Sequence, residues 1–136
     1  MFIKYMVLNL FKLFSFGSGW GRSSVSSASE ARIRDDWKKI NAAIASKSPA
    51  QLRQALIMAD RSLDAALKDI SDGESMGERL KSAENRFDRY LYSNIWGAHK
   101  IRNNLVHEAG FEPPHFILTE NITVFKEALR ALGVII

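Results

Sequence analysis

The chain of 136 residues contains no cysteine. That excludes a disulfide framework and any thiolate metal site, and it suits a reducing, cytoplasmic setting. Prolines are scarce: Pro49, Pro113 and Pro114 are the only ones, and each falls at a boundary between periodic segments, where a missing N–H costs little. Histidines are limited to His99, His107 and His115. There is no H-E-x-x-H, and His99 and His107 would lie roughly 12 Å apart along a helix axis, so no metal site is expected. No Gly-Lys-Ser/Thr follows Gly73 or Gly77, which therefore do not form a phosphate loop. No stretch alternates polar and apolar as a half-buried strand would. No cofactor is expected from these residues.

Acidic residues are absent from positions 1–29, which carry Lys4, Lys12 and Arg22. Positions 30–136, in contrast, hold 16 basic and 15 acidic side chains. The body is nearly neutral and cannot act as a general polyanion binder; any nucleic-acid contact must be local. Residues 1–16, MFIKYMVLNLFKLFSF, are apolar except for Lys4, Asn9, Lys12 and Ser15. At about 100° per residue these four fall within roughly 140° of one helical face. The segment is short and lysine-interrupted for a membrane span, and it reads as an amphipathic helix lying in a membrane surface. A helix docked on a partner and a misplaced start are the alternative readings. Residues 17–29, GSGWGRSSVSSAS, read as a Gly/Ser linker, which places the folded domain at residues 30–136.

From there the periodicity is helical. Ile33, Trp37, Ile40 and Ile44 share one face. Ser48-Pro49-Ala50-Gln51 is a capping box with proline at the first helical position. Leu52, Leu56, Ala59, Leu63, Ala66 and Ile70 then form a seam, which ends at Ser71-Asp72-Gly73. Ser75-Met76-Gly77-Glu78 is a second capping box opening a short helix. A long helix is predicted over about residues 87–108, and a last one after Thr119, with His115 in the loop that follows the two prolines. The expected architecture is all-α: an up-and-down bundle of four to five helices. Leu56, Leu63, Leu91, Ile95, Leu105, Phe125 and Leu129 should be deeply buried.

The long helix carries two stripes. Phe87, Leu91, Ile95, Ala98, Ile101 and Leu105 make a core face. Beside it run Tyr92, Trp96, His99, Asn103, Val106 and His107, a mixture of aromatics, imidazoles and amides that resembles an interface with a polar site in it. Arg102 sits on the border. The run Arg102-Asn103-Asn104-Leu105-Val106-His107 has the form R-N-x-x-x-H. An arginine and a histidine brought together can bind a phosphate and move protons without a metal. The plainer reading is structural: Arg102 pairs with Asp60 or Asp64, and His107 caps the helix C-terminus.

The segment Trp96 to Glu108, W-G-A-H-K-I-R-N-N-L-V-H-E, resembles the signature of HEPN domains, all-helical proteins defined by an R-x(4–6)-H motif with a polar residue, often Asn, after the Arg. Ala59-Asp60-Arg61-Ser62-Leu63-Asp64 and the turn from Gly73 to Leu80 are similar to a bacterial HEPN-like subfamily. The resemblance spans about residues 30–133. It implies a metal-independent endoribonuclease of a toxin or defence type, acting as a homodimer that brings two motifs together. Arg102 and His107 are then the catalytic candidates, Asn103 an orienting or phosphate-contacting residue, and Asp60 a candidate acidic partner. Some members of the family are inactive toward RNA and serve as binding modules, sometimes beside a nucleotidyltransferase antitoxin.

RNA carries its own nucleophile, the 2′-hydroxyl. Its cleavage needs a base, an acid for the leaving 5′-oxygen, and a cation for the developing phosphorane charge. Arg102 supplies a forked donor, and two protomers supply two imidazoles. His99, one turn from Asn103, can line the same site. Lys100, with Arg79, Lys81, Arg86 and Arg89, belongs to a candidate basic track interrupted by Glu78, Glu84 and Asp88. The rival expectation is a non-catalytic helical dimerisation or interaction module, peripheral to a membrane through residues 1–16.

Overall fold

The computed structural model describes residues 24–136; the expectations for residues 1–16, and for the first part of the linker, lie outside it. Among the described residues there are five α-helices, one 3₁₀ turn and no strand. We number them α1 (Ser27–Ser46), α2 (Pro49–Ile70), α3 (Met76–Ser82), α4 (Arg89–His107) and α5 (His115–Ala131), with the 3₁₀ turn at Glu84–Arg86. No helix among these residues is long and apolar enough to cross a membrane.

The boundaries follow local chemistry. Ser26, Ser48, Ser75 and Asp88 each cap a helix by accepting a hydrogen bond from a backbone N–H of the first turn, satisfying a donor that the helix itself cannot. At α3 the reciprocal contact is displaced by one residue: Glu78 Oε1 accepts from Glu74 N–H at 2.7 Å. Gly73 sits at φ +151°, and a Cβ there would come within 2.7 Å of the Arg79 backbone nitrogen; the turn between α2 and α3 therefore needs glycine.

Three expected boundaries move. The folded body begins before residue 30, because Ser26 caps α1 and Ser29 is buried. Ser26 N–H also donates to Asp69 Oδ2 at 2.9 Å, tying the start of α1 to the end of α2. Burial pushes the Asp69 carboxyl up. That effect is outweighed by hydrogen bonds from the Ser26 backbone and the Ser29 and Ser26 side chains, with Arg32 nearby, so the group lies below its ordinary range. The long helix starts at Arg89, after Phe87 in an extended conformation. The last helix starts at His115 rather than after Thr119. Pro114 carries the cap position, with its carbonyl accepting from Ile117 and Leu118. The prolines thus launch α5 instead of delaying it, and His115 is an exposed first-turn residue.

The central helix is α2, which packs against α1, α3, α4 and α5. Leu52, Leu56, Ala59, Leu63, Ala66 and Leu67 are fully buried, as are Ile40, Ile95, Phe125 and Leu129. The Trp37 indole N–H donates to Ser62 Oγ at 3.0 Å, and that hydroxyl donates to the Ala59 carbonyl at 2.7 Å, so the polar atoms of this buried pair are satisfied. Helix α4 lies at the edge of the bundle: only Ile95 and Ala98 are fully buried on it. Leu91 and Leu105, expected deep in the core, are partly exposed against its margin.

Candidate functional site

The edge position of α4 turns part of its mixed stripe onto α2. Positions 99 and 102 are three apart and face the same way, toward Asp60 on the buried seam. Asp60 has a side chain only 4% exposed. Its Oδ1 lies 2.7 Å from His99 Nδ1, and its Oδ2 lies 3.5 Å from Arg102 Nε. An ionised Asp60 can only accept, which makes His99 Nδ1 the donor of this contact and, in the neutral imidazole, leaves Nε2 as an acceptor. Arg102 in turn donates from Nη1 to Asn103 Oδ1 at 3.0 Å. Its Nε is buried without a hydrogen-bond partner; 3.5 Å to Asp60 is an ion-pair distance rather than a hydrogen bond. Asp60 is therefore the partner of Arg102, and Asp64 is not. Asp64 is held by Arg79 in a two-pronged contact, 2.8 Å from Nε and 3.0 Å from Nη2. The hydrogen bond to Asp64 raises the Arg79 guanidinium above its usual range.

Two adjoining open depressions flank this cluster. One, of about 480 Å³, is mixed in character and includes Asp60, Arg61, Asp64, Ser75, Arg102 and Asn103 in its lining. The other, of about 410 Å³, is lined by Trp96, Gly97, His99, Lys100 and Asn103 and is largely apolar. His99 and Asn103 line both.

Of the sequence candidates, Asp60, His99, Lys100, Arg102 and Asn103 come together. His107 does not join them within one protomer. It is the exposed last residue of α4 and lines neither depression. A five-residue separation turns a helix by roughly 140°, which carries His107 away from the Asp60 side of α4. Among the described residues its side chain has no hydrogen-bonding or ion-pairing partner. The basic track is also divided: Arg79 is committed to Asp64 and to the Gly73 carbonyl, while Arg61, which the sequence did not single out as a site residue, lines the depression that holds Asp60 and Asp64. Arg61 falls within the Ala59–Asp64 stretch but without an assigned role; the fold, by setting α2 beside α4, brings it to the depression. No group of three or more His, Asp or Glu side chains able to hold a metal occurs among the described residues.

The mixed stripe is also answered in good part within the protomer. Tyr92 stacks on Phe87, with ring centroids 6.5 Å apart, and Trp96 meets Tyr92 and His99 edge-on at 6.3 and 6.2 Å.

No known protein family, curated protein or solved structure matches the chain. The resemblance to HEPN domains is one of sequence, carried by Trp96–Glu108 together with Ala59–Asp64 and the turn from Gly73 to Leu80.

Proposed function

We propose that the chain is a metal-independent endoribonuclease of HEPN type that acts as a homodimer, in a toxin or defence role. The observation that carries this reading is the convergence of a carboxylate-held imidazole, a guanidinium and an amide at the rim of an open depression. Arg102 binds the phosphate and stabilises the charge that grows on its oxygens. His99, oriented by Asp60, takes the 2′-hydroxyl proton as the 2′-oxygen attacks phosphorus. The bond from phosphorus to the 5′-oxygen breaks, and a second imidazole protonates the leaving oxygen. His107 of a second copy is the candidate for that role. The products are a 2′,3′-cyclic phosphate and a free 5′-hydroxyl.

The test is cleavage of RNA in EDTA by the full chain. Arg102→Ala, His99→Ala and His107→Ala should each remove activity, with helicity and melting temperature retained in Arg102→Ala and His107→Ala. DNA should survive, since it lacks the attacking oxygen. Wild-type protein that cleaves no RNA, or alanine variants that cleave as well as wild type, would sink the reading.

One observation favours a different class. His99 and Arg102 both lean on Asp60, a buried carboxylate that joins α4 to α2, as a structural cross-link would. On that reading the chain is a helical interaction module, held at a membrane surface by residues 1–16. Binding of the full chain to anionic vesicles together with absent RNA cleavage would support it.

A further inference from the structure

Glycine inside a helix is destabilising relative to alanine, so Gly97 in the middle of α4 calls for a reason. The protomer offers none: a Cβ at Gly97 would meet no atom within 4 Å, and the position is exposed. What the missing side chain does is leave the largely apolar depression open beside Trp96. The indole is fixed there. Its benzo ring lies over Gly77, where a Cβ would come 3.4 Å from Cη2, and Tyr92 and His99 meet it edge-on. An aromatic ring already held in place loses little conformational freedom when a flat ligand packs against it.

The surroundings of this aromatic wall are cationic. Lys100 lines the depression, and Arg102 and Arg61 line the adjoining one. Among the described residues neither Lys100 nor Arg61 is ion-paired. The two carboxylates there, Asp60 and Asp64, are already taken up by His99 with Arg102 and by Arg79. An apolar, aromatic-walled hollow next to unspent positive charge matches a nucleotide, with base on one side and phosphate on the other.

We propose that Trp96 and Gly97 form a subsite for one unpaired nucleobase of a polynucleotide whose phosphate lies toward Arg102. The subsite deepens the ribonuclease reading and rests on it for the placement of the phosphate. It also sets a substrate class: a base paired in a duplex cannot reach the indole, so the strand must be single at this point.

The experiment measures binding, apart from cleavage. A fluorescent single-stranded DNA pentamer has no 2′-hydroxyl and so cannot be cut by this chemistry. Its anisotropy on the full-length protein is compared with that of the same pentamer made abasic at every position. The base-bearing strand should bind roughly 5- to 150-fold more tightly, the range that stacking of a base on an aromatic side chain provides. Gly97→Met should erase that difference while leaving the abasic strand bound as before, and its melting temperature should not fall. Trp96→Ala should erase the difference as well, and Arg102→Ala should weaken both strands. Equal binding of the two strands by wild type would overturn the subsite, as would a Gly97→Met variant that still distinguishes them. A Gly97→Met variant that turns a dimer into a monomer, by light scattering, would overturn it too, since a second copy would then be what fills the hollow. RNA cleavage without base discrimination removes the subsite alone; base discrimination without cleavage removes the ribonuclease alone.

Discussion

Replacing Asp60 with asparagine probes the cluster most directly. The carboxylate is nearly inaccessible and accepts a 2.7 Å hydrogen bond from His99. A hydrogen bond to a charged group is worth about 1.5–3 kcal/mol net. Arg102 adds less than a buried pair would. Its side chain is 30% exposed and its Nε stands 3.5 Å away, so it contributes an ion-pair attraction without a hydrogen bond. Asparagine keeps the size and one acceptor oxygen. The expected loss is therefore about 1–2 kcal/mol for Asp60→Asn, rising to about 2–3 kcal/mol for Asp60→Ala, which also strands the His99 N–H. For a body of this size the asparagine variant should melt roughly 4–10 °C lower. Urea unfolding of Asp60→Asn, His99→Gln and the double variant closes a mutant cycle, and the two sites should couple by about 1 kcal/mol or more. Additive losses would refute the claim that Asp60 and His99 form a hydrogen-bonded unit. So would an Asp60→Asn melting temperature within a degree of wild type.

The core reading is checked by Leu63→Ala and Ile95→Ala. Both side chains are fully buried, and each variant should lose about 2–5 kcal/mol in denaturant unfolding. Acid unfolding reports on Asp69. Its carboxyl lies below the ordinary carboxylate range when folded, so the stability it contributes is whole above that range and fades as pH falls through the lowered value. Asp69→Asn should thus be less stable than wild type at neutral pH, and the gap should narrow as pH falls below the ordinary carboxylate range. Arg102→Lys keeps the charge but loses the planar fork; it should retain the fold and lose most RNA cleavage, and full activity in the lysine variant would mean that the fork is not used.

The helical segments were legible because their signals are local. Ser48-Pro49 and Ser75 to Glu78 announce caps, and the Leu52 to Ala66 seam announces the buried face of α2. The depth of each helix was not legible in the same way. Leu91 and Leu105 have the spacing of core residues, yet α4 lies at the bundle edge, and periodicity gives the direction of a face without saying how much protein covers it. Pro113-Pro114 interrupts the helical pattern of the sequence, yet proline before a helix also prepares its first turn. At the site, the residue types were visible on α4, and Asp60 was visible as an acidic partner. Its hydrogen bond to His99, 39 positions away, depends on α2 and α4 being neighbours, which no single-helix pattern states. Arg61 was missed for the same reason.

The position of His107 leads to the most discriminating test of the dimer. Within one protomer Arg102 faces the Asp60 side of α4, and His107, roughly 140° further round, does not. If both residues serve one reaction, the arginine of one copy must work with the histidine of the other. Mixing inactive Arg102→Ala with inactive His107→Ala protein, after exchange of subunits, then creates heterodimers. In each of them one site carries both lesions and the other carries none. At equal amounts, random pairing makes half the dimers mixed, and each has one intact site, so about a quarter of wild-type activity should return. The return should depend on protein concentration, because exchange passes through monomers. If both side chains act from the same copy, each heterodimer holds one site without Arg102 and one without His107, and mixing restores nothing. Silence from the mixture, with active wild type and demonstrated exchange, would place both residues in one protomer's site and refute the shared assembly.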